Sequence, residues 1–168
     1  GLDFADLEQC ALQLLRDPEI ARLWQERFEH IFVDEYQDIN AAQDSIIAAL
    51  SRSGEAANRF LVGDVKQSIY RFRLANPHIF GGYSARWTGA NAEGSQVPLT
   101  ENFRSREGLL RFVNLLFASL MRKEIGGVEY EPLEFGAPEQ RADLAVPNDP
   151  TPCVEFHLIA QPNEESAA

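Results

Sequence analysis

Several features are scarce or missing in this sequence. It has only two cysteines, Cys10 and Cys153, which lie far apart without the spacing of a metal site, so we expect two buried thiols in a reducing cytosol. No apolar run approaches the roughly 18 residues that a membrane-spanning helix needs. Neither of the two lysines, Lys66 and Lys123, belongs to the GxxxxGK[ST] loop that holds nucleotide phosphates. These absences argue against a disulfide scaffold and a membrane protein, and they leave the chain without a phosphate loop of its own.

The composition is otherwise that of a soluble protein, but its charge is unevenly distributed. Of 168 residues, 45% are hydrophobic, 24% charged and 10% aromatic, which suits one domain, or one domain and part of another. The formal net charge is −11, yet the segment from Phe60 to Lys123 holds nine basic residues against four acidic ones. A surface that binds phosphate or nucleic acid needs local positive charge, so this segment is the candidate.

Helix and strand patterns alternate along the chain. Helical spacing of apolar residues predicts six helices: Leu2–Leu15, Pro18 to about Phe28, Ala41–Leu50, Lys66–Phe72, Asn76–Trp87 and Glu107–Arg122. Short apolar runs predict four strands: His30–Val33, Arg59–Val62, Val97–Thr100 and Cys153–Ala160. Residues 124–152 hold five prolines and three glycines and are predicted to form an irregular connector. Strands that alternate with helices predict an α/β fold with a parallel sheet.

Two adjacent carboxylates follow the first predicted strand, where Ile31–Val33 runs directly into Asp34 and Glu35 of the string DEYQD. In open parallel sheets, ligands bind beyond the carboxyl ends of the strands. Adjacent carboxylates there suit nucleotide hydrolysis, because one can hold Mg²⁺ and the other can polarise the attacking water. Acids at a strand end also commonly cap the next helix, and that interpretation stays open for this string alone.

The second predicted strand ends in a similar way. Gly63 permits a tight turn, and Asp64 adds a third acid at the same edge of the sheet. Gln67 can both donate and accept a hydrogen bond, as a group that senses phosphate or water must.

Two aromatic residues alternate with two arginines just after this strand. Tyr70 and Phe72 interleave with Arg71 and Arg73 in the string SIYRFR. Aromatic faces stack on single-stranded bases and guanidinium groups lie near their backbone, so the string has the composition of a surface that binds single strands. The same residue types are common in protein cores, which is the alternative interpretation.

A third string, ENFRS, lies just before the last predicted helix. Backbone donors at a helix start, together with the planar guanidinium of Arg104, make a natural contact for the γ-phosphate of a nucleotide. Phe103 offers a ring face for an adenine base. Taken alone, the string is equally compatible with an arginine beside a helix start that binds no ligand.

The three strings together, in this order and spacing, resemble the UvrD/Rep branch of superfamily 1 helicases. DEYQD is similar to motif II of that family, GDVKQSIYRFR to motif III and ENFRS to motif IV, and LDFADLE is similar to a helix ahead of motif II. Within the branch, VGDVKQSIYRFRLANPHIF is most similar to the AddA and RecB type helicase–nuclease subunits. The resemblance covers roughly Leu2 to Tyr130.

This resemblance implies a fold and a division of the chain. The implied fold is part of a RecA-like P-loop NTPase domain, in which a parallel sheet is flanked by helices. Residues 1–123 would form the C-terminal part of the first RecA-like motor domain, residues 124–152 the connector, and residues 153–168 the first strand of the next domain and a tail. Since the chain begins without methionine and lacks the phosphate loop, we expect an internal fragment of a longer protein.

The resemblance also implies a role for each residue of the phosphate site, with ATP and Mg²⁺ as cofactors. Asp34 and Glu35 would be the metal-site residues, with Asp34 binding Mg²⁺ and Glu35 also serving as the general base. Gln67 would couple the γ-phosphate to DNA, Arg104 would contact the γ-phosphate, and Phe103 would bind the adenine.

For DNA, the resemblance implies single-strand contacts from Tyr70, Phe72 and Arg73. Simpler family members have tryptophan where this chain has Phe72, a smaller ring, which weakens the case for stacking there. The implied parent is a cytoplasmic ATP-dependent helicase that moves 3′ to 5′ on DNA in double-strand break repair. It would bind single strands and duplex junctions and could pair with a second helicase–nuclease subunit. It would not bind a membrane. The fragment itself is expected to be inactive.

A different class of function is the alternative: a degenerate, non-catalytic scaffold that kept the fold to bind protein or DNA. The combination of Asp34, Glu35, Gln67 and Arg104 favours the motor, because a scaffold does not need this set.

Overall fold

The computed structural model describes residues 1–70, 74–88, 93–122, 130–145 and 154–159. The chain forms two compact units, residues 1–97 and residues 98–168. Phe72 and Arg73, two of the predicted DNA contacts, lie outside the described residues, as does Cys153.

Two helices open the first unit, and acidic caps set where each one begins. Helix α1 spans Phe4–Leu15 and starts after Asp3, which exchanges hydrogen bonds with Asp6 in a reciprocal capping box. Helix α2 spans Pro18–Arg27, with proline at its first position and the side chain of Asp17 as its cap. Both predicted helices are confirmed.

The two strands of the first unit lie side by side. Strand β1 spans Ile31–Val33 and strand β2 spans Arg59–Leu61, and they pair in parallel with Phe32 opposite Phe60. The two phenyl rings are 5.8 Å apart and both are largely exposed. Both strands fall within the predicted ones, and their parallel pairing confirms that part of the fold prediction.

Helices α3 and α4 follow the two strands. Helix α3 spans Ala41–Leu50 and begins at a capping box that Asn40 forms with Gln43. Helix α4 spans Pro77–Arg86 and begins after Asn76, whose side chain accepts a backbone hydrogen bond. Because α3 joins two parallel strands, β1, α3 and β2 form the crossover unit from which α/β sheets are built.

A cluster of aromatic and charged groups connects these elements. Tyr36 is fully buried and donates its hydroxyl hydrogen to Oδ1 of Asp44 in α3 at 2.6 Å, and Tyr83 of α4 donates to the same oxygen at 2.9 Å. Arg59 of β2 donates to the hydroxyl oxygen of Tyr83 at 3.0 Å. Burial, together with the hydrogen bond to Asp44, raises the pKa of Tyr36 above its usual value.

A single arginine satisfies the carbonyl groups at the end of α2. Arg52 donates hydrogen bonds to the backbone oxygens of Gln25, Phe28 and Glu29, those to Phe28 and Glu29 being 2.8 and 3.1 Å long. The buried Asn58 donates to the same Phe28 oxygen at 2.9 Å. A helix leaves its last carbonyl groups without backbone partners, so the side chains of Arg52 and Asn58 supply the missing hydrogen-bond donors.

The second unit is described by itself as a strand pair and a helix. Strands β3 (Glu101–Asn102) and β4 (Glu134–Phe135) pair in parallel, and helix α5 spans Glu107–Leu120. Asn114 of α5 both donates to the oxygen of Leu133 at 2.9 Å and accepts from its nitrogen at 3.0 Å. This pair of bonds ties α5 to the residue just before β4.

Two predicted strands are wrong. Val97–Thr100 forms no strand, because Pro98 has no N–H for pairing and Leu99 is 81% exposed. Strand β3 begins one residue later, at Glu101, although the oxygen of Thr100 already accepts a hydrogen bond from the nitrogen of Glu134 at 3.0 Å. In the predicted strand Cys153–Ala160, the described residues 154–159 have no regular secondary structure and no described strand beside them.

Three further predictions need correction. In its described part, residues 66–70, the predicted helix Lys66–Phe72 begins instead as a 3₁₀ turn over Val65–Gln67, after which Ser68 is extended. The predicted connector contains β4 within its described part, residues 130–145. Cys10 is exposed on α1 instead of buried.

The described residues thus form a mixed helix and strand structure with small parallel sheets. No helix among them has the length and apolar character needed to cross a membrane.

Tyr36→Phe should change how stability depends on alkaline pH. The phenol of Tyr36 stays neutral in the fold, whereas an ordinary tyrosine ionises near its usual pKa of 10.0. The free energy of unfolding should therefore be unaffected by this group below about pH 10 and fall as the pH rises further, because the unfolded chain then releases a proton. Urea denaturation between about pH 8 and pH 11 measures this. The Phe variant should lose about 1 kcal/mol near neutral pH and show a shallower fall above pH 10. Identical slopes in the two proteins would contradict the assignment.

Candidate functional site

The carboxyl ends of β1 and β2 bring three predicted acids to one end of the sheet. Asp34 and Glu35 directly follow β1, and Asp64 lies three residues after β2. Backbone bonds continue beyond both strands, since the nitrogen of Val62 donates to the oxygen of Val33 at 2.8 Å and the nitrogen of Tyr36 donates to the oxygen of Val62 at 2.9 Å. The grouping of acids that the sequence predicts is therefore present in the structure.

Asp34 and Glu35 lie on a tightly turned backbone. Glu35 has φ +52° and ψ +42°, the left-handed region that few residues other than glycine adopt. Its backbone N–H donates to Oδ1 of Asp34 at 2.9 Å, which compensates in part for this conformation. A positive φ outside glycine commonly marks a functional turn, and here it falls on the predicted general base.

A buried amide joins the two strand ends. Gln37 is only 1% exposed, and its Nε2 donates to Oε2 of Glu35 at 2.7 Å. Its Oε1 accepts the backbone N–H of Asp64 at 2.9 Å. Gly63 allows this approach, because a Cβ there would lie 2.6 Å from Oε1 of Gln37. The amide thus orients one oxygen of Glu35 and holds the turn that carries Asp64.

Asp64 in turn holds Gln67. Its Oδ2 accepts from Nε2 of Gln67 at 3.1 Å, and its Oδ1 accepts from the backbone N–H of Lys66 at 3.0 Å and lies 3.1 Å from the Lys66 ammonium. Burial alone would raise the pKa of Asp64, but the hydrogen bond from Gln67 and those from Lys66, with the ammonium charge, lower it below 3.8 on balance. Asp64 therefore stays ionised near neutral pH, and Gln67 is exposed beside it.

Asp34 is the residue at this sheet end that suits Mg²⁺. Its carboxylate is exposed, and with Oδ1 bonded to the backbone of Glu35, its second oxygen has no protein donor in the described part of the chain. Mg²⁺ in nucleotide sites takes one or two carboxylates and completes its shell with water and phosphate oxygens. No group of three or more His, Cys, Asp or Glu side chains among the described residues could enclose a metal. The exposed carboxylate of Asp34 can therefore supply part of a Mg²⁺ shell.

Phe103 and Arg104 belong to the second unit, in the turn between β3 and α5. The side chain of Asn102 accepts the backbone N–H groups of Arg104 at 3.0 Å and Ser105 at 2.8 Å, and so shapes this turn. Both Phe103 and Arg104 are exposed, Phe103 to 60%. Their predicted contacts with the nucleotide remain predictions.

Of the predicted DNA contacts, the structure describes Tyr70. Its side chain is 38% exposed, five residues beyond the start of the 3₁₀ turn that carries Gln67. A short stretch of chain thus connects Tyr70 to the turn that carries Gln67.

Comparison with known proteins places this arrangement in a family. Residues 1–86 match the family described as UvrD/REP helicase N-terminal domain. The chain belongs to this family. The match covers the strand ends that carry Asp34, Glu35, Asp64 and Gln67 and stops before Arg104.

Individual relatives extend the likeness over more of the chain. The A subunit of the ATP-dependent helicase/nuclease of Staphylococcus saprophyticus is 46% identical over 147 residues, which is 82% of this chain and 12% of that protein. Its namesake in Staphylococcus haemolyticus is 42% identical over 95% of this chain and 13% of its own length. The one in Listeria monocytogenes is 40% identical over 98% of this chain and 14% of its own length. The chain thus corresponds to a small part of each relative.

Sequence reasoning missed the residues that hold the predicted site residues in place. Gln37 stands in the quoted string DEYQD, and its place two residues after Glu35 was the signal that could have indicated a partner for that carboxylate. Gly136 and Arg141, which contact the turn of Phe103, lie in the segment predicted as a connector. No local pattern marks them.

Gly63→Ala should destabilise the first unit. The new Cβ would lie 2.6 Å from Oε1 of Gln37 and 3.1 Å from the backbone nitrogen of Tyr36, which is itself bonded to Val62. Since the backbone is held, Gln37 must move, and we expect a loss of about 1–3 kcal/mol in the free energy of unfolding. Gly81→Ala in α4 is the matched control, because its Cβ would meet nothing within 4 Å. Urea denaturation should show the control unchanged or more stable, by up to about 1 kcal/mol. Equal losses in both variants would show that the close approach is unimportant.

Proposed function

We propose that this chain is an internal part of the first RecA-like motor domain of an ATP-dependent DNA helicase of the AddA-like helicase–nuclease type. The observation that carries the proposal is the buried amide of Gln37, which joins Glu35 at the end of β1 to Asp64 beyond β2. A binding scaffold has no need of an exposed carboxylate oriented from inside the fold. Family membership and the common name of the relatives support the same function.

In this proposal, the end of β1 carries out the hydrolytic step. Glu35 accepts the proton of the water that attacks the γ-phosphate, since Gln37 occupies its Oε2 and leaves Oε1 for that proton. Asp34 binds Mg²⁺ through its exposed carboxylate, and the metal, when bound, neutralises charge on the phosphates. The nucleotide in this proposal is ATP, in line with the names of the relatives. Its remaining phosphate contacts come from parts of the parent outside this chain.

The turn after β2 couples this step to DNA. Asp64 fixes the amide of Gln67, which senses the γ-phosphate, and Tyr70 follows three residues later. Tyr70, Phe72 and Arg73 contact single-stranded DNA, in the segment with the local surplus of positive charge. A shift of Gln67 is therefore transmitted along a few residues of backbone to the bound DNA strand.

We propose in addition that Arg104 contacts the γ-phosphate and Phe103 the adenine. For the parent, we propose 3′ to 5′ translocation on single strands and at duplex junctions during double-strand break repair in the cytoplasm, together with a second helicase–nuclease subunit. The strings around Glu35, Gln67 and Arg104 would then be motifs II, III and IV of the motor.

In the intact parent, Glu35→Gln and the double change Tyr70→Ala with Phe72→Ala should differ in kind. Glutamine keeps the size of Glu35 but accepts no proton, so ATP hydrolysis should fall by about 10²-fold or more while ATP still binds. Removing two aromatic faces should instead weaken single-strand binding by about 1–3 kcal/mol per base contact and leave basal hydrolysis unchanged.

Measuring basal hydrolysis, DNA-stimulated hydrolysis and strand affinity on both variants separates the two effects. Glu26→Gln, on the surface of α2, is the matched control for the charge change. Normal strand affinity of the aromatic variant would show that Tyr70 and Phe72 are packing residues. Normal hydrolysis by Glu35→Gln would remove the catalytic assignment.

The isolated chain should neither bind Mg-ATP tightly nor hydrolyse it, because a motor takes most of its phosphate contacts from the GK[ST] loop. Calorimetry with Mg-ATP and a phosphate-release assay test this, and micromolar affinity with turnover would contradict it. The coding sequence upstream provides the complementary test. A GxxGxGK[ST] string there supports the motor, whereas a native gene without one would favour the non-catalytic scaffold.

A further inference from the structure

One arginine outside the motif strings holds the turn that carries Phe103 and Arg104. Arg141 is half-buried, and its Nη2 donates to the backbone oxygen of Ser105 at 2.9 Å. Its Nη1 donates to the oxygen of Asn102 at 2.9 Å and to that of Gly136 at 3.2 Å. One guanidinium therefore binds the backbone on both sides of Phe103 and Arg104.

The guanidinium is itself held in place. It lies 4.5 Å from the ring centroid of Phe135 in β4, a stacked arrangement that restricts a flat cation. Arg141 belongs to a series of turns in which its nitrogen donates to Pro138 and its oxygen accepts from Leu144. Leu144 in turn accepts the N–H of Glu107, the first residue of α5. The segment is thus fixed to the same helix start that follows the Arg104 turn.

Gly136 acts on the ring of Phe103. A Cβ at Gly136 would lie 2.6 to 2.8 Å from three carbon atoms of that ring, so the ring rests directly against the backbone. The nitrogen of Gly136 also donates to the oxygen of Asn102 at 3.1 Å. Phe103 is nevertheless 60% exposed, which leaves much of the ring open to a ligand.

We propose that Arg141 is a positioning residue of the nucleotide site, acting through the Asn102–Ser105 turn, and that Gly136 sets the plane of Phe103. This rests on the proposed function of Phe103 and Arg104. The side chain of Asn102 shapes the turn from inside, and Arg141 fixes it from outside by binding its first and last carbonyl groups. Lysine can replace this contact only in part, because its point charge lacks the planar fork that reaches three carbonyl oxygens together.

The test uses the full-length parent with Arg141→Ala, Arg141→Lys and Gly136→Ala. Arg111→Ala is the matched control, since Arg111 pairs with Glu107 on the exposed surface of α5. Arg141→Ala should raise KM for ATP and lower kcat, together by about 10- to 100-fold in kcat/KM, because a misplacement near 1 Å has effects of that order. Arg141→Lys should fall between wild type and Ala. Gly136→Ala should raise KM by roughly tenfold with kcat retained, since it displaces the stacking ring and leaves Arg104 in place.

Hydrogen exchange of the backbone amides of Arg104 and Ser105 provides a second readout that does not depend on ATP. Both amides donate to Asn102, so their exchange should accelerate in Arg141→Ala and remain as in wild type in Arg111→Ala. Unchanged exchange overturns the positioning role. If exchange is faster in Arg141→Ala but its kcat and KM for ATP are like those of Arg111→Ala, Arg141 is only a structural residue, and its link to the nucleotide is overturned. Faster exchange in a parent whose wild type hydrolyses no ATP leaves Arg141 as the residue that holds the turn, and it is then the proposed function that fails.

Discussion

The hydrogen bonds of one buried amide determine the geometry of the first unit's strand ends. Gln37 uses both halves of its amide, donating to Glu35 and accepting from the backbone of Asp64, and it is almost fully removed from water. Losing either partner would leave a buried polar atom unsatisfied, which is costly. Gly63 has no side chain in the space that this amide needs. The exposed Glu35 is therefore oriented by a buried amide, and the exposed Gln67 is bonded to the half-buried Asp64.

Two arginines perform an equivalent task in the two units. Arg52 binds three backbone oxygens at the end of α2, and Arg141 binds three around the turn before α5. In each case the carbonyl groups belong to a turn or helix end, where regular pairing stops and the backbone has spare acceptors. The five donors of a guanidinium reach such groups together, which no other side chain does. Turns with exposed side chains can thus be held in place without a large core around them.

Local signals predicted much of the fold. Helices α2 and α3 begin at the predicted residues, Pro18 and Ala41, because proline and caps act within three or four residues of chain. Helix α1 begins at Phe4, two residues after the predicted Leu2. Strands β1 and β2 are predicted correctly because short apolar runs are visible without knowledge of their partner. The errors arose where a strand forms or fails to form according to its pairing partner. Val97–Thr100 is apolar but contains Pro98, and β4 lies in a stretch whose prolines and glycines predict irregular chain although β3 pairs with it.

The sequence by itself determined which chemical groups the chain offers and the order in which they occur: Asp34 and Glu35 after one strand, Asp64 and Gln67 after the next, Phe103 and Arg104 before a helix. These follow from residue identity and short-range spacing. Only the tertiary structure decided which groups hold them. Gln37 lies 27 residues from Asp64, and Arg141 lies 36 residues from Ser105. Hydrogen bonds between residues so distant in the chain depend on how the strands pair and the turns fold back, and no local pattern contains that information.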